Sequence, residues 1–251
     1  MKYFLLIFIV LLNLNIANAA EKGSFSLPKH DWSFNGFFGT FDKSSIQRGF
    51  KVYREVCAGC HSMNLLYYRD LLDVGFSEDE VKAIASEYTV LDGPNDEGEM
   101  FERPGKPSDR FVPPFANDQQ ARAYNNGSYP PDLSVIVKAR KYGADYLYYL
   151  LLGYEDPPEG FELGDGMYYN KWKEGNQIAM SAPLGDGYVD YDDGTDNNLS
   201  QLSEDIVTFL AWSAEPELEI RKNLGVKVII FFLILGFLFY LIKIRLWKDI
   251  N

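Results

Sequence analysis

The chain has 251 residues, with 24 Lys and Arg against 36 Asp and Glu, and a formal net charge of −12 at pH 7. This sign excludes nucleic acid as a partner, because binding to phosphates needs an excess of cationic side chains. The charge is unevenly spread: residues 20–220 carry 17 basic and 35 acidic side chains, whereas residues 221–251 carry six basic and one acidic. The acidity of the large part either serves solubility or steers it towards a basic macromolecule.

Residues 1–19 have the pattern of a secretory signal. Lys2 precedes an apolar run over residues 3–12, and the segment ends in Ala17-Asn18-Ala19, which fits the small-x-small rule for signal peptidase. We predict cleavage before Ala20 and export of the following domain to the periplasmic side of a bacterial inner membrane.

Residues 20–223 are predicted to form one mainly α domain with long loops. A first helix is expected over residues 44–56, because Ile46, Phe50 and Tyr53 share one face and Asp42 is placed to cap it. A second helix, over residues 78–88, is indicated by the capping box Ser77-x-x-Glu80.

Both cysteines of the chain lie in one motif, Cys57-Ala58-Gly59-Cys60-His61. Cys-x-x-Cys-His is typical of covalent attachment of a c-type haem: each thiol forms a thioether with a haem vinyl group, and the histidine becomes an iron ligand. One alternative is a zinc site completed by His30. A redox dithiol or a disulfide would explain both cysteines and leave the histidine unused.

Proline, glycine and acidic residues predict long surface loops over residues 91–114 and 155–195. Between them, Pro130-Pro131-Asp132 is expected to open a pair of helices, over residues 133–141 and 144–152, broken at Gly143. A last helix in the domain is predicted over residues 204–213, with Ser203 as its cap.

A sixth iron ligand would make the haem an electron carrier, whereas an open site would support chemistry on a ligand. Met180 is the favoured candidate, because it lies in an apolar loop that ends at Pro183 and can hold a thioether dry and still. Met100, Met167 and His30 are the alternatives, and a buried core methionine is the purely structural one.

The apolar segment of residues 224–246 is predicted to be a transmembrane helix, since 23 residues at 1.5 Å each cross a hydrocarbon core of about 30 Å. A buried core helix is the alternative. Together with the signal, this segment leaves residues 247–251 as a cytoplasmic tail.

Several stretches of the chain form a recognisable series in one order. They are Trp32 to Gly36, Gly39 to Asp42, Arg48 to Tyr53, Cys57 to Met63, Tyr68 to Leu71, Ala123 to Asp132, Tyr191 to Thr195, Ala214 to Glu217, and Arg221 with Lys222. In these stretches the chain resembles the cytochrome c1 family of mitochondria and alphaproteobacteria, and the resemblance covers nearly the whole mature chain.

This resemblance implies a class I c-type cytochrome domain with long loop insertions and one C-terminal transmembrane helix. It also implies a haem subunit of the dimeric cytochrome bc1 complex, alongside a cytochrome b subunit. Such a subunit takes an electron from the Rieske iron-sulfur protein and passes it to a basic soluble cytochrome c or a membrane-bound relative. The chain itself would be an electron carrier within a quinol–cytochrome c reductase, and quinol oxidation would take place in a partner subunit.

By the same resemblance, His61 is the proximal and Met180 the distal iron ligand, and Arg140 lies beside a haem propionate. The remaining haem contacts that it implies are Asn125, Pro130 and Tyr146. Two rival functions share much of this pattern. One is a membrane-tethered cytochrome that donates directly to a terminal oxidase, and the other is a haem enzyme or gas sensor with an open iron.

Overall fold

Six α-helices organise residues 26–248, the part of the chain that the computed structural model describes. The predicted signal, residues 1–19, lies outside this part, as do the last three residues of the tail. The helices are α1 Lys43–Glu55, α2 Glu78–Ser86, α3 Asp118–Tyr124, α4 Gly143–Leu152, α5 Leu199–Ala214 and α6 Leu218–Trp247.

The remaining regular structure is short. Strands β1 Thr89–Asp92 and β2 Phe101–Pro104 pair antiparallel, with Thr89 opposite Pro104. Strands β3 Tyr168–Tyr169 and β4 Gln177–Ile178 also pair antiparallel. Short 3₁₀ helices cover Cys57–Gly59 and Tyr68–Val74. The two segments predicted as long loops therefore contain small hairpins and are otherwise irregular.

Packing of α1 against α5 forms the centre of the core. Gly49 permits the close approach, because a Cβ on it would lie 2.0 Å from the Asp205 carbonyl oxygen. Beside this point the Phe209 ring centroid lies 5.7 Å from that of Phe50 and 5.8 Å from that of Tyr53. The helix that leads into the Cys-x-x-Cys-His motif is thus fixed against the last helix of the domain.

A buried charge pair joins the same two helices. The Asp205 carboxylate is fully buried and accepts hydrogen bonds from Ser45 Oγ at 2.7 Å and from Arg48 Nε and Nη2, both at 2.9 Å. Arg48 Nη1 also reaches Asp193 at 3.0 Å, and its guanidinium lies 5.6 Å from the Tyr191 ring centroid. The loop that carries Tyr191 and Asp193 is therefore tied to α1.

The first two helix predictions are confirmed. Asp42 caps α1 by accepting a hydrogen bond from Ser44 N at 2.9 Å. Both bonds of the predicted capping box form between Ser77 and Glu80 at the start of α2. Helix α2 ends two residues earlier than predicted, because the chain there turns into β1.

The predicted helix over residues 133–141 is wrong: this segment is a run of turns. An α-helix would use the Ser134 carbonyl for Lys138 N, but Ser213 Oγ of α5 donates to that carbonyl at 3.1 Å, and Lys138 N turns to Val135 O at 3.0 Å. The predicted break is present, since Tyr142 and Gly143 have φ values of 69° and 56° and α4 begins there.

Ser203 does not cap the last helix of the domain. Helix α5 begins at Leu199, with Asn198 as its cap: the Asn198 side chain accepts from Gln201 N at 3.0 Å. The Asp186 carboxylate accepts from Leu199 N at 2.7 Å and so satisfies a further donor of the first turn. Ser203 consequently lies inside the helix and is fully buried.

Helix α6 has 30 residues, and none of its most apolar 18-residue window, with a mean hydropathy of 2.6, is buried against the domain. The alternative of a buried core helix is therefore wrong, and within residues 26–248 α6 is the one transmembrane anchor. It begins at Leu218, six residues before the predicted span, and this first turn packs on the domain.

Candidate haem site

The motif Cys57 to His61 follows α1 directly and folds as a tight turn. Cys60 N and His61 N both donate to the Cys57 carbonyl, at 3.1 and 2.8 Å. Neither cysteine forms a disulfide. Burial raises the pKa of the Cys57 thiol to about 12, with a smaller contribution from Cys60. Both sulfur atoms thus belong to one rigid turn beside His61, which is what attachment of a single ligand at two points requires.

His61 has one ring nitrogen fixed. Its Nδ1 lies 2.8 Å from the Pro131 carbonyl oxygen. A carbonyl only accepts hydrogen bonds, so Nδ1 carries the proton and Nε2 keeps its lone pair for a metal. Burial also lowers the pKa of His61, which keeps the imidazole neutral. This orientation matches the way in which backbone carbonyls hold metal-binding histidines.

Asp132 holds the segment that presents the Pro131 carbonyl. Its carboxylate accepts from Ser62 Oγ at 2.9 Å and from Asn64 N and Ser134 N, both at 2.8 Å. Burial acts to raise the pKa of Asp132, but these hydrogen bonds outweigh it and the pKa lies below its usual value. Leu133 N adds a bond to Ser62 O at 2.8 Å. Residues 62–64, just after the histidine, and residues 131–134 are therefore held together by hydrogen bonds.

Two clefts flank this turn. One, of about 190 Å³, contains Cys60 and Pro130, together with residues 113–118 and Tyr129. The other, of about 150 Å³, is lined by Ala58 and by aromatic side chains that include Tyr53, Tyr68 and Phe111. Pro130, a predicted contact residue, is thus placed beside the motif.

Met180 is half-buried, two residues after β4. Tyr154 Oη donates to the Met180 carbonyl at 3.1 Å, which fixes the backbone of its loop. Burial raises the pKa of Tyr154, and the neighbouring Tyr146 adds to this shift. By contrast, Met100 is 55 % exposed, and Met63 is fully buried in the core.

Arg140 acts electrostatically on Tyr146: burial raises the pKa of Tyr146, and the Arg140 charge acts in the opposite direction. The Arg140 side chain is exposed and donates to the Ala139 carbonyl at 3.2 Å. Within residues 26–248 it forms no ion pair with an acidic side chain. Its cation is therefore open to an anionic group.

Asn125 has a local structural role. Its Nδ2 donates to the Ala121 carbonyl at 2.7 Å, and the residue caps the C-terminal end of α3. The described contacts do not bring Asn125 to His61 or to Met180. Ala121, one turn earlier in α3, lines the cleft beside Cys60.

The zinc alternative does not fit the described residues, in which no three His, Cys, Asp or Glu side chains form a metal-binding group. His30 instead packs its ring between Trp32 and Tyr148, with both centroid distances 4.4 Å, and its Nε2 lies 3.8 Å from a Glu204 oxygen. The two free thiols of the motif, the oriented imidazole and the exposed Arg140 cation fit a haem with its propionates.

Comparison with known proteins decides the family. Residues 32–250 match the Cytochrome C1 family. The chain belongs to the cytochrome c1 family. Among its relatives is the Arabidopsis thaliana "Cytochrome c1 1, heme protein, mitochondrial", 52% identical over 84% of this chain and 68% of the relative. The "Cytochrome c1" of Rhodospirillum rubrum is 43% identical over 94% of this chain and 92% of its own length.

Two further relatives carry the name of the complex. The "Cytochrome b/c1" of Bradyrhizobium diazoefficiens is 46% identical over 92% of this chain, which spans 37% of that protein. The "Cytochrome b-c1 complex catalytic subunit, mitochondrial" of Candida albicans is 47% identical over 93% of this chain and 81% of its own length. The predicted family, the mainly α fold with one membrane helix and the c-type haem are thereby confirmed. The residues that bind the haem stay a prediction.

Two side chains at the site are missing from the sequence predictions. Asp132 appears in the sequence as the start of a helix, but it clamps Ser62 and Asn64, some 70 residues earlier. Tyr154 shows no local signal at all, because its contact with Met180 spans 26 residues. For Asp132, the Pro-Pro-Asp run after the haem motif is a sequence signal that could have drawn attention to it.

Proposed function

We propose that this member of the cytochrome c1 family is the membrane-anchored electron-transfer subunit of a cytochrome bc1 complex. The observation that carries the proposal is the orientation of His61, whose Nδ1 is held by Pro131 while both cysteines of the motif remain free beside it. Such an imidazole is prepared to bind iron through Nε2.

Cys57 and Cys60 would hold the haem through two thioethers, and His61 and Met180 would be its axial ligands. When bound, haem supplies an iron centre that exchanges one electron, and the combination of His and Met favours a high reduction potential. The protein holds the two axial ligands in position. Asp132 and Pro131 hold the imidazole, and Tyr154 holds the loop of Met180.

Arg140 would pair with a haem propionate. A guanidinium and a carboxylate form two parallel hydrogen bonds, and the open cation of Arg140 has the charge for that contact. Pro130 would lie against the ring, because it lines the same cleft as Cys60. The half-buried Tyr146 would be a further contact. Asn125 would contribute indirectly, by capping the end of α3, whose Ala121 lines the cleft beside Cys60.

The predicted signal at residues 1–19 would place residues 20–223 in the periplasm. Residues 224–246 would cross the inner membrane, with residues 247–251 in the cytoplasm. The Rieske protein would be the electron donor, a basic cytochrome c the acceptor, and a cytochrome b subunit the membrane neighbour, in a dimeric complex. The names of the Bradyrhizobium and Candida relatives support this assembly. Quinol oxidation would belong to the partner subunits.

Mild detergent extraction of the native membrane tests the assembly. We expect the chain to copurify with a two-haem cytochrome b and a Rieske protein. Copurification with a terminal oxidase alone would favour the tethered-cytochrome rival and contradict the proposal.

Replacing Met180 by Leu tests the axial ligand. The variant should keep its covalent haem and show a much lower reduction potential, because sulfur raises the potential of a His-ligated haem. Met167→Leu, 13 residues earlier in the same segment, is the matched control and should leave the potential unchanged. An unchanged potential in Met180→Leu would refute the assignment. Carbon monoxide binding to the reduced native protein would support the open-iron rival instead.

A further inference from the structure

Residues 34–40, which we call the aromatic loop, expose two neighbouring phenylalanines. Phe37 is 54 % exposed and Phe38 83 % exposed, and their rings meet edge to face with centroids 4.9 Å apart. Phe34, the first residue of this loop, and Phe41, the residue after its end, are buried in the core. Adjacent, well-exposed aromatic rings on an otherwise acidic domain indicate a contact surface rather than a chance exposure.

The aromatic loop is closed and rigid. Thr40 N donates to the Ser33 carbonyl at 3.1 Å, across the base of the loop. Gly36 has a φ of 73°, as a tight turn requires. A Cβ on Gly39 would lie only 1.9 Å from the Asn35 carbonyl oxygen, so no larger residue fits there without opening the loop. The two rings are therefore held out by a fixed backbone.

Helix α6 grips this loop at its base. Lys222 Nζ donates to the carbonyls of Phe34 and Gly39, both at 2.8 Å. One turn earlier, a Glu219 carboxylate oxygen accepts from Phe41 N at 2.9 Å. From Glu219 to Lys222 the helix advances about 4.5 Å towards its apolar part. Phe37 and Phe38 lie in the chain between Phe34 and Gly39, the two residues whose carbonyls accept from Lys222.

The level of Lys222 along α6 coincides with the surface of the bilayer. The predicted span begins at Leu224, about 3 Å further along the helix than Lys222. The head-group layer on each side of the hydrocarbon core is about 5–7 Å thick. The base of the aromatic loop is thus attached to α6 within about one head-group layer of the predicted span, where aromatic side chains gather in membrane proteins.

We infer that the aromatic loop is a second membrane contact, with the Phe37 and Phe38 rings inserted among phospholipid head groups beside α6. Together, the loop and the helix would fix the tilt and rotation of the domain over the membrane. This inference rests on the membrane span of the proposed function and is independent of the haem ligands.

Photo-crosslinking tests the contact in the full chain reconstituted into phospholipid vesicles. The benzophenone amino acid p-benzoylphenylalanine replaces Phe38, which is a small change at a side chain that packs little. After irradiation, we expect phospholipid adducts at residue 38, detected by mass spectrometry. Absence of lipid adducts, or crosslinks to polypeptide in their place, would overturn the inference.

Two further positions serve as controls. The same probe in place of Phe232, in the middle of α6, should give lipid adducts whether or not the loop touches the membrane. In place of Tyr188 it should give none: this side chain is 61 % exposed and follows Gly187, whose N donates to Asn197 O beside the first turn of α5, at the opposite end of that helix, about 24 Å long, from the one that leads into α6. Adducts at residue 232 without adducts at 38 would refute the loop contact while the anchor stands. No adducts at either position would refute both.

Discussion

Replacing Asp205 by Asn tests whether the buried charge pair holds the helix that leads into the haem motif. The carboxylate is fully buried and receives three hydrogen bonds, two of them from the Arg48 guanidinium. Asn keeps the shape but removes the charge, and its amide can accept at one oxygen only. Breaking one side of such a buried pair costs about 3–5 kcal/mol.

The cost should fall near the lower end of that range, because Arg48 keeps its ion pair with Asp193 in the variant. A loss of about 3 kcal/mol is a large fraction of the total of about 5–15 kcal/mol that stabilises a domain. For a domain of about 200 residues it lowers Tm by about 6–12 °C. Most of this cost comes from leaving the Arg48 charge partly buried without its main partner.

Urea unfolding of the full chain in detergent, followed by near-ultraviolet circular dichroism, measures this difference. Asp193→Asn is the matched control: it removes the exposed partner of the same arginine, and its effect should be far smaller. The double variant Arg48→Met with Asp205→Leu should recover part of the lost stability, since no unpaired charge stays buried. A loss below about 1 kcal/mol in Asp205→Asn would contradict the reasoning.

Two further predictions concern charge. Raising the ionic strength from about 0.01 to 0.15 M should slow electron transfer to a basic cytochrome c, because the Debye length falls from about 30 to 8 Å. Stopped-flow kinetics measure this rate. A rate independent of salt would contradict electrostatic docking. Hydrogen bonds from Thr195 and, secondarily, from Arg48 lower the pKa of Asp193 from 3.8 to about 2. The carboxylate is therefore more easily ionised in the folded protein, and its stabilisation is complete above about pH 4 and lost as the pH falls towards 2. Urea midpoints over this range should show a shallower fall in Asp193→Asn, and an equal fall in both proteins would argue against the assignment.

Local signals in the sequence predict a large part of this structure. The Cys-x-x-Cys-His motif, the Asp42 cap and the Ser77–Glu80 capping box all act over a few residues, and the structure places each in the expected turn or helix end. The membrane helix is likewise evident from composition alone, since its apolar run needs no tertiary contact to be recognised.

Features that depend on distant residues escape sequence reasoning. The expected helix after Asp132 fails because Ser213, 79 residues later in the chain, takes the Ser134 carbonyl. Ser203 has the sequence pattern of a cap, but side chains of Asn198 and Asp186 bond the first turn of the helix more than one turn earlier. The clamp of Asp132 and the tie from Tyr154 to Met180 are also long-range contacts. Such contacts decide where the Pro131 carbonyl meets His61 and where the backbone of Met180 is held.

Mass analysis of the mature chain under denaturing conditions tests the central claim most directly. The account predicts a polypeptide beginning near Ala20 that carries the added mass of one haem, with the adduct localised by peptide mapping to Cys57 and Cys60. A mature chain without that added mass, or with haem released on denaturation, would contradict it.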